Sequence, residues 1–148
     1  MDFPLDADGF LRRECPSCGQ VFKWHHGPTD TRPADAFDPP RYTCPLCGKQ
    51  ANHDQWFTQD QIRYQQEVAE FYMQDAVNDE LKRAFRGSKN VTYKPGTNTA
   101  PAPTALHEPN DMLIVEPPCH PWEPVKVPQE RADSGSLHCL LCGETYSA

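Results

Sequence analysis

The residues best suited to chemistry are cysteines in two matching turns, Cys15-Pro16-Ser17-Cys18-Gly19 and Cys44-Pro45-Leu46-Cys47-Gly48, 25 residues apart. A C-x2-C turn sets two sulfurs on one side of a tight loop, where neighbouring backbone N–H groups can point at the thiolates. Glycine after the second cysteine permits positive φ without a Cβ penalty. Two such turns facing each other give the tetrahedral four-sulfur cage that Zn2+ prefers. A cage of this kind has no vacant ligand position, so its expected role is to hold the fold together.

The C-terminal stretch repeats the theme with a departure. Cys139-Leu140-Leu141-Cys142-Gly143 is an intact turn, preceded at a distance by Pro118-Cys119-His120-Pro121-Trp122. A C-x2-C match at the earlier turn would make Trp122 a ligand, which its chemistry forbids. Three thiolates remain, and His120 is the histidine nearest in sequence to complete a second zinc site, with His138 and His107 as alternatives. Three thiolates and a water would make an open, hydrolytic site, but no His-x-Glu motif accompanies them. Cys119 and His120 are adjacent, and adjacent residues seldom turn their side chains towards one another, so ligand roles suit them better than nucleophile and base. No phosphate-cradling glycine loop or Ser-His-Asp pattern is present, and the expectation is a protein that is not an enzyme.

The rest of the chain explains why metal is needed. Of 148 residues only 37% are hydrophobic, 16 are proline and seven are cysteine, an odd number that excludes complete internal disulfide pairing. So sparse a core does not offset the entropy of ordering without covalent or metal links. The acidic start, Asp2-Phe3-Pro4-Leu5-Asp6, lacks the apolar core of a secretory signal, and no run approaches the ~18 apolar residues of a membrane span. Reduced cysteines then point to the cytoplasm and to metal ligation. Four thiolates and one zinc ion would take the formal charge of −7 to about −9. Such a chain as a whole repels nucleic acid and anionic membrane.

Composition divides the chain into four stretches. Residues 1–57 hold the first four cysteines, with short strands expected at Leu11–Glu14, Gln20–His25 and Arg41–Thr43. Phe22, Trp24, Tyr42, Trp56 and Phe57 supply a small aromatic core. Residues 58–87 read as a helix opened by Thr58 and Gln61 and closed by Gly87. Its apolar residues form two stripes, Tyr64-Val68-Phe71-Tyr72-Ala76 and Val77-Leu81-Ala84-Phe85, on roughly opposite sides. Asn78-Asp79-Glu80 favours a break into a helix pair. Residues 88–111, with Pro95, Pro101, Pro103 and Pro109, read as a linker. Residues 112–148 carry the last three cysteines, with strands at Met112–Val115 and Val125–Val127. The fold class is thus small α+β and metal-stabilised, with two short antiparallel ribbons separated by a helical segment and a proline-rich linker.

Residues 10–57 resemble zinc-ribbon proteins. Tyr42-Thr43-Cys44-Pro45-Leu46-Cys47-Gly48 is similar to a rubredoxin knuckle, and that resemblance implies iron and electron transfer as the alternative use of the same four sulfurs. The long proline-rich loop at 26–40, the added helix and the further cysteines depart from a rubredoxin. Both halves, including Pro118 to Val127, are also similar to small, uncharacterised bacterial proteins with paired zinc ribbons, which implies a bacterial or phage setting and no particular activity.

Two binding roles follow. The stripe Val77, Leu81 and Phe85 exceeds what one small ribbon covers and is a candidate surface for a protein partner or a second copy of the chain. Lys82, Arg83, Arg86, Lys89 and Lys94, with Phe85 and Tyr93 interleaved, form a basic stretch that would suit nucleic acid.

Overall fold

A computed structural model describes residues 2–94, 96 and 100–148. Ten elements follow in order: β1 (Phe10–Glu14), β2 (Val21–His25), β3 (Arg41–Thr43), β4 (Gln50–Asn52), α1 (Gln59–Ala84), β5 (Leu113–Val115), β6 (Val125–Val127), α2 (Gln129–Ser134), β7 (Ser136–His138) and β8 (Thr145–Ser147). They fall into two units, one comprising the residues up to Thr58 together with His107–Ala148, the other Gln59–Leu106.

The sequence gives each cysteine-bearing stretch its own ribbon, whereas in the first unit the two stretches share a sheet. Its strand order is β1-β2-β6-β5, so two strands come from each stretch. β2 and β6 pair antiparallel through Lys23↔Lys126 and Trp24↔Val125. Alternation along the strands explains why they associate: Phe22, Val125 and Val127 are buried among the aromatic and aliphatic core, while Lys23 and Lys126 turn to the other face. A five-residue and a three-residue strand cannot bury their apolar residues on a lone hairpin. Joining the two stretches supplies the missing cover.

Two hairpins, β3–β4 and β7–β8, complete the unit. They interlock through backbone bonds from Thr43 N–H to Leu140 O and from His138 N–H to Pro45 O, both 2.9 Å. The core between sheet and hairpins is centred on Trp56, whose ring meets Phe22 edge to face at 5.7 Å and Trp24 at 6.2 Å. Tyr42 adds a further edge contact to Trp24 at 5.2 Å. Phe57 lies apart from this group, against Phe3 and under the Arg13 guanidinium.

The polar face of the sheet carries a buried ionic network. Lys23 Nζ lies 3.0 Å from Asp6 and 2.9 Å from Glu108, and Lys126 Nζ lies 2.8 Å from Asp6 and 2.6 Å from Asp8. Arg12 holds both Glu108 and Asp111. These bonds tie the N-terminal segment and residues 108–111 onto the sheet.

In the second unit α1 runs without interruption for 26 residues, so Asn78-Asp79-Glu80 does not break it. The Asn78 side chain, available to cap a second helix, instead accepts from Tyr93 Oη at 2.9 Å. Residues 100–106 of the stretch expected to act as a linker lie back along the helix. Ala100 N–H donates to Gln74 Oε1 at 2.9 Å and Thr104 N–H to Glu67 Oε2 at 2.8 Å. As the strap advances its helix partners recede, so it runs antiparallel to α1, and the half-buried Tyr64, Val68 and Phe71 lie on the helix face that these partners share. Prolines prevent this segment from forming regular structure, and side-chain acceptors on the helix take its free amides instead. Pro95 lies outside the described residues.

Candidate metal centres

Three turns are built alike. In each, the amide of the first cysteine donates across the turn, Cys15 to Gln20 O at 3.0 Å, Cys44 to Lys49 O at 2.8 Å and Cys139 to Glu144 O at 2.9 Å. In each, the closing glycine donates back to the first cysteine's carbonyl at 2.9 Å. Those glycines, Gly19, Gly48 and Gly143, have φ of 69°, 76° and 77°. This is the left-handed region that the sequence requires of them. The turns aim amides at sulfur: Ser17 N–H and Leu46 N–H lie 3.4 Å from Cys15 Sγ and Cys44 Sγ.

The first and second turns meet. The four sulfurs of Cys15, Cys18, Cys44 and Cys47 all lie within 4.8 Å of one another, with Cys15–Cys47 at 3.7 Å and Cys18–Cys44 at 4.0 Å. A tetrahedral ion with bonds of about 2.3 Å to sulfur sets its ligands about 3.8 Å apart. The cage matches that size.

The third turn meets the irregular one. Cys119, His120, Cys139 and Cys142 bring one ligand atom each within the same 4.8 Å limit. Cys119 and Cys142 are 3.4 Å apart at sulfur, and His120 presents Nδ1 to Cys139 Sγ at 3.4 Å. Mixed nitrogen and sulfur ligands on one ion stand about 3.6 Å apart. Cys142 is exposed, and Cys139 is fully buried, so this centre is open on one side. His138 is not brought to it: its ring packs against the backbone of Gly48, where an added Cβ would come within 3.1 Å. His107 is on the surface. Trp122 does not point a ligand at the centre either, but packs edge to face on His120 at 5.1 Å.

Burial and neighbouring sulfurs oppose ionisation of most of these thiols. Burial pushes the Cys44 thiol well up, and burial together with Cys142 and Cys139 does the same to Cys119. Burial also opposes ionisation of Cys15, but the amides of Cys18 and Ser17 together with the Cys44 and Cys18 sulfurs outweigh it and leave that thiol below its usual value. Sulfurs this close cannot all ionise against one another in a buried site without a positive ion between them. Tyr146 adds a second sign. Among the described residues its buried hydroxyl has no hydrogen-bond partner, and it lines a small cleft with Cys119, so an O–H donor is available beside a sulfur centre.

Some contributors have no cysteine-like signature. Arg131 on α2 donates to Leu46 O at 2.7 Å and so braces the second turn, while His138 packs behind Gly48. The residues expected to form an interaction surface lie in the second unit. Val77, Leu81 and Phe85 are exposed on α1 and just after it, as are Lys82, Arg83 and Arg86. Phe85 stacks on Tyr93 with centroids 6.1 Å apart.

Among the described residues no helix is long and apolar enough to cross a membrane. No family model matches the chain, and neither a curated protein nor a solved structure gives a significant match. Among the described residues there are two clusters able to hold a metal ion, one of four cysteines and one of three cysteines and a histidine.

Proposed function

We propose that this is a non-catalytic, cytoplasmic zinc protein in which two structural Zn2+ ions staple an interaction module, and that helix α1 receives a protein partner or a second copy of the chain. The observation that carries the zinc reading is the cage size: sulfur separations of 3.7 and 4.0 Å suit a four-thiolate tetrahedron. Cys15, Cys18, Cys44 and Cys47 would hold one ion and Cys119, His120, Cys139 and Cys142 the other. Zinc so held supplies folding energy and no turnover chemistry. Iron in the first cage, as in a rubredoxin, remains the alternative that thiolate ligands alone do not separate from zinc. A colourless protein with stoichiometric zinc supports the zinc reading, and a red one would replace it.

The interaction reading rests on apolar exposure along α1. Tyr72, Met73 and Val77 are each more than half exposed, beyond what isolated surface residues explain. Replacing Leu81 and Phe85 by Asp tests it: self-association or partner capture should be lost while zinc content stays unchanged. Unchanged assembly and capture would contradict the reading. A second reading has one observation in its favour, the Phe85–Tyr93 stack among Lys82, Arg86 and Thr92, which would suit a single-stranded nucleic acid. Binding that falls steeply with salt, and is lost when Lys82, Arg83 and Arg86 become Ser, would favour it.

A further inference from the structure

The first unit also contains a cleft of about 400 Å3, whose lining includes Trp24, Tyr42, His53, Arg32, Asp38 and Glu123. That volume is in the range of small-molecule sites. Its rings are arranged as a corner: Trp24 and Tyr42 meet with centroids 5.2 Å apart and planes at 68°, and His53 stacks on Tyr42 at 4.1 Å. The charges come from different elements. Glu123 stands just before β6, and Arg32 and Asp38 belong to the loop between the first two cysteine turns.

His25 lines the cleft as well, but the permanent charges of its lining are two carboxylates against one guanidinium. Two carboxylates share one guanidinium, and it reaches both at 3.3 Å. Charge-assisted N–H···O bonds normally close to about 2.7–2.9 Å. Glu123 is only 8% exposed, and among the described residues Arg32 is the one cation paired with its carboxylate. A buried carboxylate that shares its guanidinium with Asp38 is left incompletely neutralised at the wall of an aromatic cleft. An anion entering would meet Asp38 and Glu123. A neutral apolar molecule would leave both carboxylates desolvated beside it. An organic cation satisfies rings and carboxylates together, since an ammonium group is attracted to aromatic faces and most strongly where water is excluded.

We propose that this cleft binds a small organic ammonium group, held against Trp24, Tyr42 and His53 and neutralised by Glu123 and Asp38. The inference is independent of any role of α1. A free quaternary amine and a methylated lysine side chain of another protein share this chemistry.

The test is a 1H–15N NMR titration of the metal-loaded full chain with choline, its neutral isostere 3,3-dimethylbutanol, and N-acetyl-trimethyllysine amide. At least one ammonium probe should shift the Trp24 indole N–H, saturably, while the isostere does not. Tighter binding of choline identifies a free amine as the ligand class, and tighter binding of the lysine derivative identifies a protein side chain. Glu123→Gln should weaken binding about tenfold, because a buried charge partner is lost. Arg32→Ala should tighten it severalfold by removing the competing guanidinium, and this variant decides the matter should Glu123→Gln fail to fold. Equal responses to choline and its isostere, or no response to either ammonium probe at tens of millimolar, would overturn the proposal. So would an Arg32→Ala protein of native metal content that binds the ammonium probes no better than wild type.

Discussion

Lys23 and Lys126 stand directly opposite each other across β2 and β6, both fully buried, and Asp6 Oδ2 accepts a hydrogen bond from each, at 3.0 and 2.8 Å. Like charges in register across a sheet oppose pairing. One carboxylate between them converts that repulsion into a bridge. Asp6 therefore joins strands that lie about a hundred residues apart in the chain.

Asp6→Asn leaves two buried ammonium groups without their shared partner. Lys23 keeps Glu108 and Lys126 keeps Asp8, so the expected cost is about 1.5–3 kcal/mol of stability, the usual worth of a charged hydrogen bond. Chemical denaturation of the zinc-loaded protein measures it, and a cost below about 1 kcal/mol would place the bridge among weak surface pairs.

The same residue sets an acid limit. Burial alone would raise the Asp6 carboxyl, but hydrogen bonds from Lys126, the Phe10 amide and Lys23 bring it from 3.8 to about 2. A depressed carboxylate contributes fully above its unfolded pKa and loses that contribution as pH falls towards the folded one. The stability difference between wild type and Asp6→Asn should accordingly be full above pH 4 and shrink as pH falls from 4 to 2. Metal loss in acid affects both proteins and cancels in the comparison.

Gly48 and Gly19 separate conformational strain from packing. Both have positive φ, but an added Cβ at Gly48 would meet the His138 ring at 3.1 Å, while at Gly19 it meets nothing within 4 Å. Gly19→Ala should cost about 1–2 kcal/mol for the left-handed backbone alone. Gly48→Ala should cost more, read as a lower thermal midpoint. Equal midpoints would show that His138 yields freely.

The strap along α1 has its own test. Replacing Gln74 and Glu67 together by Ala removes the acceptors of the Ala100 and Thr104 amides. Each such bond contributes about 0.5–1.5 kcal/mol, so hydrogen exchange at Ala100 and Thr104 should quicken by about twofold to tenfold. Unchanged exchange would mean that the strap is held by something else.

The turns themselves were legible because their chemistry is local. Cysteine spacing, the closing glycine and the flanking aromatic residues all lie within a few positions, and β1, β2, β3, β5 and β6 are found within a residue or so of their expected positions. The union of β2 with β6 was not legible, since it depends on a pairing between distant segments and on Asp6, whose role appears only when both lysines are buried. β4, β7, β8 and the six-residue α2 carry one hydrophobic residue each and were not legible. The continuity of α1 was misread because Asn78 looks like a cap, and its actual partners come from a segment that the prolines made look like free chain. At the second centre, Cys139 and Cys142 follow from spacing, whereas the choice of His120 over His138 turns on His138 being committed to Gly48.

Native mass spectrometry with elemental analysis of the intact protein shows whether two metal ions hold the first unit. Two zinc ions per chain are expected, falling to one in His120→Ala, with unfolding of residues 10–57 on exhaustive chelation, because structural zinc supplies on the order of 10 kcal/mol. A metal-free protein that keeps its aromatic packing, or a single ion unaffected by His120→Ala, would contradict the account.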